Sequence, residues 1–121
     1  MTRLAKIKEK TCVVRKTGSR RGRHISVTPK KTSARHLHFG RIVLSAADKP
    51  VKVSTGDRET AFICLTGSAT IEVGSGSNVS KYDVTRYYAL YVPRKTKVKV
   101  LPGGDGCDFA ELSAPVSNAY P

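Results

Sequence analysis

The feature that most limits the fold of this 121-residue chain is a series of short strand-like segments that begins at His36. No stretch beyond that point keeps a 3.6-residue apolar period for three helical turns. The pattern predicts strands at residues 36–44, 50–54, 60–66, 68–73, 78–83, 87–92, 96–101 and 107–113. Because successive strands are about 8 to 12 residues apart with no helix between them, we expect a single all-β domain, either a sandwich or a small barrel.

Alternation of apolar and polar residues indicates how these strands are buried. SATIEV (68–73) and TKVKVL (96–101) alternate cleanly, which is typical of antiparallel strands with one face on a core. AFICL (61–65) is apolar on both faces, so we expect it to lie in the middle of a sheet.

Glycine-rich segments between the strands supply the predicted turns. We interpret Thr66 and Gly67 as a tight hairpin, because glycine tolerates the positive φ that such turns need. GSGS (74–77) is expected to be a flexible loop, and PGGDG (102–106) a wide turn.

Positive charge is concentrated near the N-terminus. Of the net charge of +13, residues 1–35 carry +11 (12 Lys/Arg against Glu9) and residues 36–121 carry +2 (10 Lys/Arg against eight acids). We expect a basic arm at 1–24 and the folded barrel at 25–121, because KTGSRRGRH (16–24) has too few apolar residues to supply a core. The arm is interpreted either as a contact for an anionic partner or as a solvated leader that aids solubility.

Two further features bear on compartment and cysteine chemistry. The longest apolar runs fall far short of the roughly 20 residues that span a bilayer, and the N-terminus lacks the apolar segment of a secretory signal. We therefore expect a cytoplasmic protein that does not contact membranes. Cys64 and Cys107 lie in apolar strand patterns and are expected to be buried small hydrophobes, whereas Cys12 is expected to be more exposed.

Four segments, in this order, resemble a known family over about residues 22–120: GRHISVTPKKTSARHLHFGRIVLS, GDRETAFICLTGSATIEV, KYDVTRYYALYVPRKTKVKV and AELSAP. They resemble the amino-terminal half of the 5-deoxy-glucuronate isomerase family of inositol breakdown, whose superfamily includes the 5-keto-4-deoxyuronate isomerase of pectin breakdown. The resemblance implies a single cupin barrel (a double-stranded β-helix, or jelly roll). It also implies intramolecular aldose–ketose isomerisation as the activity of the family.

The resemblance carries one departure and one consequence for activity. The family usually has a GxR motif before the YVP strand, where this chain has SGSNVSKYD. Family members look like two barrels in tandem, with the metal and catalytic residues in the second, and NAYP (118–121) is similar to the segment that leads into it. We therefore expect either a single-barrel relative or one half of a longer enzyme, inactive as this barrel alone.

A cupin metal site needs two imidazoles on one strand face, a carboxylate a few residues later and an imidazole on a later strand. The resemblance puts the first motif at residues 55–59, which read Thr-Gly-Asp-Arg-Glu, and puts Val98 at the later histidine position. We therefore expect no divalent metal and no cofactor in this barrel.

Five residues are candidates for binding a sugar-acid ligand, whereas no catalytic residue is assigned; the five are Arg58, Glu59, His36, His38 and Arg94. A guanidinium next to a carboxylate at a barrel mouth would suit a sugar acid or proton transfer, and the alternative that we favour is a solvated turn. His36 and His38 share a strand face and would form a metal site with Glu59, or else are plain surface residues.

Three functional hypotheses follow. The first is a family cupin of uronate or inositol breakdown. The second is a non-catalytic barrel that binds a ligand or stabilises a homo-oligomer through its sheet edges. The third, which we rank last, is unspecific nucleic-acid binding through residues 3–35, because no aromatic residue in that arm could stack on a base.

Overall fold

The fold is taken from a computed structural model, which describes residues 8–117. The first seven residues of the basic arm and the NAYP segment (118–121) lie outside the described residues. The elements in chain order are α1 Glu9–Cys12, β1 Gly22–Val27, β2 His38–Leu44, β3 Val51–Ser54, β4 Arg58–Ser75, β5 Asn78–Thr85, β6 Ala89–Val92 and β7 Lys97–Pro115. Within residues 8–117, no helix is long and apolar enough to cross a lipid bilayer.

All strand pairs are antiparallel, and the two long strands β4 and β7 each take part in two sheets. The first half of β4 and the second half of β7 form one sheet with β1, β2 and β6, in the order β1-β2-β7-β4-β6. The second half of β4 and the first half of β7 form another sheet with β3 and β5, in the order β3-β7-β4-β5. The prediction of an all-β chain is thereby confirmed.

The tight hairpin predicted at Thr66 and Gly67 and the wide turn predicted at 102–106 are wrong. Both segments lie inside long strands, at the corner where β4 and β7 pass from one sheet to the other and the pairing register shifts. Gly67 and Gly106 have positive φ angles of 75° and face each other across this corner. A Cβ on Gly67 would lie 2.1 Å from the carbonyl oxygen of Gly106, so only glycine allows the two backbones to approach this closely.

The flexible loop predicted at 74–77 is also corrected. Gly74 and Ser75 belong to β4, and only Gly76 and Ser77 connect it to β5. Gly76 has a φ of 61°, which suits the first central position of a two-residue hairpin turn. This turn fixes the register of β4 and β5 over eight successive residue pairs, from Ser75 with Asn78 to Ser68 with Thr85.

The core lies between the facing sides of the two sheets. Its fully buried large side chains are Phe62, Phe109, Ile42, Ile71, Val92 and Val100. The predicted alternation is confirmed, since Ala69, Ile71, Val98 and Val100 all point into this core. AFICL lies between β6 and β7, as expected for the middle of a sheet, although its outward residues are only half-buried.

The basic arm pairs with the barrel earlier than Ile25, where order was expected to begin. β1 starts at Gly22 and pairs with β2 until a register shift between Ile25 and Val27. The strand ends two residues before Pro29, which has no N–H to donate.

The cysteines behave as the sequence predicts. Cys64 and Cys107 are buried and Cys12 is exposed. Burial raises the pKa of Cys64 and raises that of Cys107 to about 11. The pKa of Cys12 is lowered, first by a backbone hydrogen bond from Lys8 and then by hydrogen bonds from the hydroxyls of Thr11 and Ser33.

Candidate functional site

The end of β7 and the residue that follows it, positions 113–116, bring together four of the five candidate ligand residues. Three of them pair directly with it, in these rungs: His38 with Ser113, Arg58 with Pro115 and Glu59 with Ala114. The Nη1 of Arg94 donates a 2.8 Å hydrogen bond to the carbonyl oxygen of Val116. His36 is exposed and lies two residues before β2 begins, so it does not join the sheet.

His38 and Arg58 lie on the inner side of the sheet. Alternation along β2 places His38 on the face of the buried Ile42, and alternation along β4 places Arg58 on the face of the buried Phe62. Burial lowers the pKa of His38, and the positive charge of Arg58 lowers it further, with a smaller opposing effect from Asp57. The imidazole is therefore neutral near pH 7 and able both to donate and to accept a hydrogen bond.

Two buried hydroxyl residues extend this polar patch toward the core. Thr60 and Ser113 pair with each other, and Ser113 pairs with His38 on its other side, which forms one row across three strands. Thr60 is 3% exposed and Ser113 is 7% exposed. We call His38, Arg58, Thr60 and Ser113 the inner polar patch. Within residues 8–117, the Arg58 guanidinium makes neither a hydrogen bond nor an ion pair.

Glu59 lies on the opposite side of the sheet from Arg58, because neighbouring strand residues point to opposite faces. Its carboxylate accepts a 3.0 Å hydrogen bond from the hydroxyl of Tyr91. Burial raises the pKa of Tyr91, and this hydrogen bond raises it further. The structure therefore separates this carboxylate from the guanidinium that precedes it. Both residues belong to β4 rather than to the turn that ends at Asp57.

The loops around the inner polar patch are held by backbone and hydroxyl contacts. The buried hydroxyl of Thr55 donates a 2.9 Å hydrogen bond to the carbonyl of Pro93 and accepts one of 2.9 Å from the backbone N–H of Thr96. Val116 donates its N–H to the carbonyl of Asp57 at 3.0 Å and accepts from Arg94. Arg94 is thus engaged in fixing this end of the barrel.

The residues present do not fit a metal. The segment 55–59 is a turn followed by the start of β4, so it is not the inward strand face that metal ligands would need. The inward pair further along β4 consists of Phe62 and Cys64, both fully buried in the apolar core. Glu59 and His38 lie on opposite sides of their sheet, and among residues 8–117 no three His, Cys, Asp or Glu side chains gather as a metal site.

A buried ion pair that the sequence pattern did not predict lies on the same inner face. Arg23 donates two hydrogen bonds of 2.7 Å, from Nε and Nη2, to the two carboxylate oxygens of Glu111. The side chain of Glu111 is 3% exposed and that of Arg23 is 28% exposed. The bonds to Glu111 raise the pKa of Arg23 in spite of burial, so the pair is ionic. The alternation of CDFAELS carried the signal, since it places a glutamate on the same face as Phe109.

Other arginines of the arm also contact carboxylates. Arg21 binds Asp48, which lies in the turn after β2, and Arg15 binds Glu9 within the arm. These contacts use part of the charge that motivated the nucleic-acid hypothesis, which stays a prediction.

A cavity of about 480 Å³ lies away from these residues, on the outer side of the second sheet. Its polar lining includes Lys52, Lys97, Lys99 and Glu72. Lys52 and Lys97 are exposed and only Lys99 is half-buried, so we regard the inner polar patch as the better candidate site.

Comparison with known families gives one match, to the KduI/IolB family over residues 12–121. Comparison with curated proteins gives no match.

Among solved structures, an IolB-like protein from Salmonella typhimurium has a TM-score of 0.68 and 20% sequence identity, covering 86% of this chain and 41% of the other. A cupin protein from Bacteroides fragilis has a TM-score of 0.65 and 14% identity, covering 100% of this chain and 92% of the other. The EutQ protein from Clostridium difficile has a TM-score of 0.57 and 13% identity, covering 78% of this chain; the chain spans only 62% of its length. At these identities the likeness shows the fold alone, and that fold is the cupin barrel.

Proposed function

Because the chain belongs to the KduI/IolB family, we propose that its barrel binds a sugar acid of uronate or inositol breakdown at the inner polar patch. The observation that carries the proposal is the Arg58 guanidinium. It lies beside a half-buried neutral His38 and makes no ion pair or hydrogen bond within residues 8–117. A cation in this position favours an anionic ligand.

The groups of the inner polar patch match the groups of a sugar acid. Arg58 offers the planar pair of donors that a carboxylate accepts in a bidentate manner. His38, Thr60 and Ser113 offer donors and acceptors for sugar hydroxyls, and the two hydroxyl side chains make no hydrogen bonds to other residues within 8–117. The apolar core beneath the patch would exclude water from the buried side of the ligand.

We propose that this barrel alone does not isomerise the sugar. Aldose–ketose isomerisation moves a proton between adjacent carbons while the carbonyl oxygen is polarised, so it needs a positioned base and a strong electrophile. Glu59 faces away from the patch, and both oxygens of Glu111 are held by Arg23. His38 is the remaining base. Because the proposal assigns the Arg58 guanidinium to the ligand's carboxylate, only the neutral hydroxyls of Thr60 and Ser113 remain to polarise the carbonyl oxygen.

Calorimetric titration with D-glucuronate and with D-glucose, which lacks the carboxylate, tests the binding proposal. We expect glucuronate to bind and glucose to bind at least tenfold more weakly, because a charge-assisted hydrogen bond contributes about 1.5–3 kcal/mol. Arg58→Gln should weaken glucuronate binding by a similar factor, whereas Arg20→Gln, at an exposed position of the arm, should not. Equal binding of the two sugars, or unchanged binding by Arg58→Gln, would contradict the proposal.

A separate assay tests the absence of catalysis. The protein is incubated with 5-deoxy-glucuronate, with and without added zinc or manganese, and ketose formation is followed. We expect no turnover above that of the buffer with the same metal. Sustained turnover that depends on the protein would show that this barrel is an isomerase by itself.

A further inference from the structure

We infer that β5 is a homodimer interface, at which a second copy of this chain pairs antiparallel with the first across a twofold axis through Tyr82. The two four-stranded sheets that contain β5 would then join as one continuous sheet. The inference does not depend on the inner polar patch, which lies in the other sheet.

Of the four sheet edges among the described strands, only β5 offers a long unbroken edge. β3 and β6 are four residues long and are flanked by Pro50 and Pro93. β1 is interrupted by a register shift and is followed by Pro29. β5 has eight residues, contains no proline, and is paired with β4 without a register shift, while no other described strand pairs with it. Such an edge is a template for another strand.

The hairpin turn determines which backbone groups of β5 are free. The two-residue turn at 76–77 makes Ser75 and Asn78 the closing hydrogen-bonded pair, and pairing then alternates along the strand. The residues that direct their N–H and C=O groups away from β4 are Val79, Lys81, Asp83 and Thr85. Antiparallel self-pairing must therefore place these residues opposite one another.

The charges on β5 select one register. Centred on Tyr82, self-pairing puts Lys81 of each copy opposite Asp83 of the other, so that two opposite-charge pairs form at symmetry-related positions. Centred on Lys81 or on Asp83, it would put like charges directly opposite each other at the axis. Cross-strand pairs of opposite charge stabilise a sheet and like charges destabilise it, so of these three registers only the one centred on Tyr82 is complementary in charge.

Exposed apolar surface on β5 fits the same arrangement. The side chain of Tyr82 is 45% exposed although its pairing partner on β4, Ile71, is fully buried. In the proposed register, the two Tyr82 rings meet at the axis as a cross-strand aromatic pair. Val79, which is 37% exposed, would lie opposite Thr85 of the second copy.

Sedimentation of charge variants tests the interface and its register. We expect the wild type to form a species of twice the 13.1 kDa monomer mass. Lys81→Asp or Asp83→Lys should raise the dimer dissociation constant by about tenfold or more, because each turns two attractive pairs into repulsive ones. The exchange variant K81D/D83K restores opposite charges and should restore the dimer.

The exchange variant also separates interface effects from effects within one chain. Asp83 accepts a 2.9 Å hydrogen bond from Thr70, and Lys81 lies 3.9 Å from Glu72, so the single variants disturb the monomer too. K81D/D83K loses both contacts, so recovery of the dimer could come only from pairing between copies. Lys52→Asp, on the exposed edge strand β3, serves as the control and should leave the dimer unchanged. A wild-type monomer at millimolar concentration, or dimerisation insensitive to both single reversals, would overturn the inference.

Cross-linking tests the position of the twofold axis. Opposite residues in a non-hydrogen-bonded antiparallel pair have Cα atoms about 4.5 Å apart, within the range of a disulfide. In a Cys12→Ser background, Tyr82→Cys should form a disulfide-linked dimer under mild oxidation, whereas Lys52→Cys should not. Equal cross-linking at both positions would contradict a specific axis at β5.

Discussion

The buried pair of Arg23 and Glu111 allows a sharp stability prediction. Arg23→Met removes both 2.7 Å hydrogen bonds and leaves the Glu111 carboxylate, whose side chain is 3% exposed, without its partner. Methionine keeps much of the length of the aliphatic stem, so the change acts mainly on the charge. The variant therefore isolates the consequence of an unpaired buried carboxylate.

The expected loss follows from the burial of the pair. Removing one partner of a buried ion pair costs about 3–5 kcal/mol, because the remaining charge is neither solvated nor neutralised. This is a large fraction of the roughly 5–15 kcal/mol that stabilises a typical domain. By contrast, replacing both partners with apolar residues of similar size is often close to neutral. We therefore expect Arg23→Met/Glu111→Leu to recover most of the stability that Arg23→Met loses.

Urea denaturation followed by circular dichroism measures these free energies of unfolding. The matched control is Arg21→Met. Arg21 also joins the arm to the barrel, but its side chain is 65% exposed in the pair with Asp48. Because an exposed pair contributes little, its loss should be far smaller than that of Arg23→Met.

Two results would refute this reasoning. If the free energy of unfolding of Arg23→Met lies within about 1 kcal/mol of the wild-type value, the pair is not buried as described. If the double variant is no more stable than Arg23→Met, the loss arises from release of β1 rather than from an unpaired charge.

Three further predictions concern the corner, the thiols and a histidine. Gly67→Ala should destabilise the protein by more than about 1 kcal/mol, because φ at this position is 75° and the new Cβ would lie 2.1 Å from a backbone oxygen. Gly104→Ala is the control and should be tolerated, because a Cβ there meets nothing within 4 Å. Thermal unfolding compares the two variants. At pH 8, iodoacetamide should modify the exposed Cys12 first, and Cys107, whose pKa is about 11, only when the protein unfolds. Peptide mass mapping identifies the labelled cysteine. Fast labelling of Cys107 in the folded protein would contradict its burial. The pKa of His38 is lower in the folded protein than in the unfolded chain, so the unfolded chain binds more protons and stability falls as the pH drops below about 6.5. His38→Gln should lessen this fall, as measured by urea denaturation at several pH values. An unchanged pH dependence in the variant would contradict the lowered pKa.

Much of the fold could be predicted from the sequence, because strand alternation is a local signal. The inward positions of Ile71 and Val100 follow directly from the period of two in their segments. The corner at Gly67 could not be predicted, because a glycine with positive φ serves a hairpin turn and a bulged corner equally well, and only the pairing of distant strands distinguishes them.

The candidate site was predictable in its residue types but not in its geometry. Alternation already implies that Arg58 and Glu59 face opposite sides once β4 is known to include them. The pair of Arg23 and Glu111 joins residues 88 positions apart, and the segment before Ile25 contains too few apolar residues to be recognised as a strand. Its presence was indicated only by a glutamate on an otherwise apolar strand face.

A crystal structure of the protein grown with D-glucuronate tests the proposed site most directly. We predict the ligand's carboxylate on the Arg58 guanidinium and at least one of its hydroxyl groups on His38. Density for the ligand in the lysine-lined cavity formed by β3, β4 and β7, with the inner polar patch free of ligand, would contradict the account.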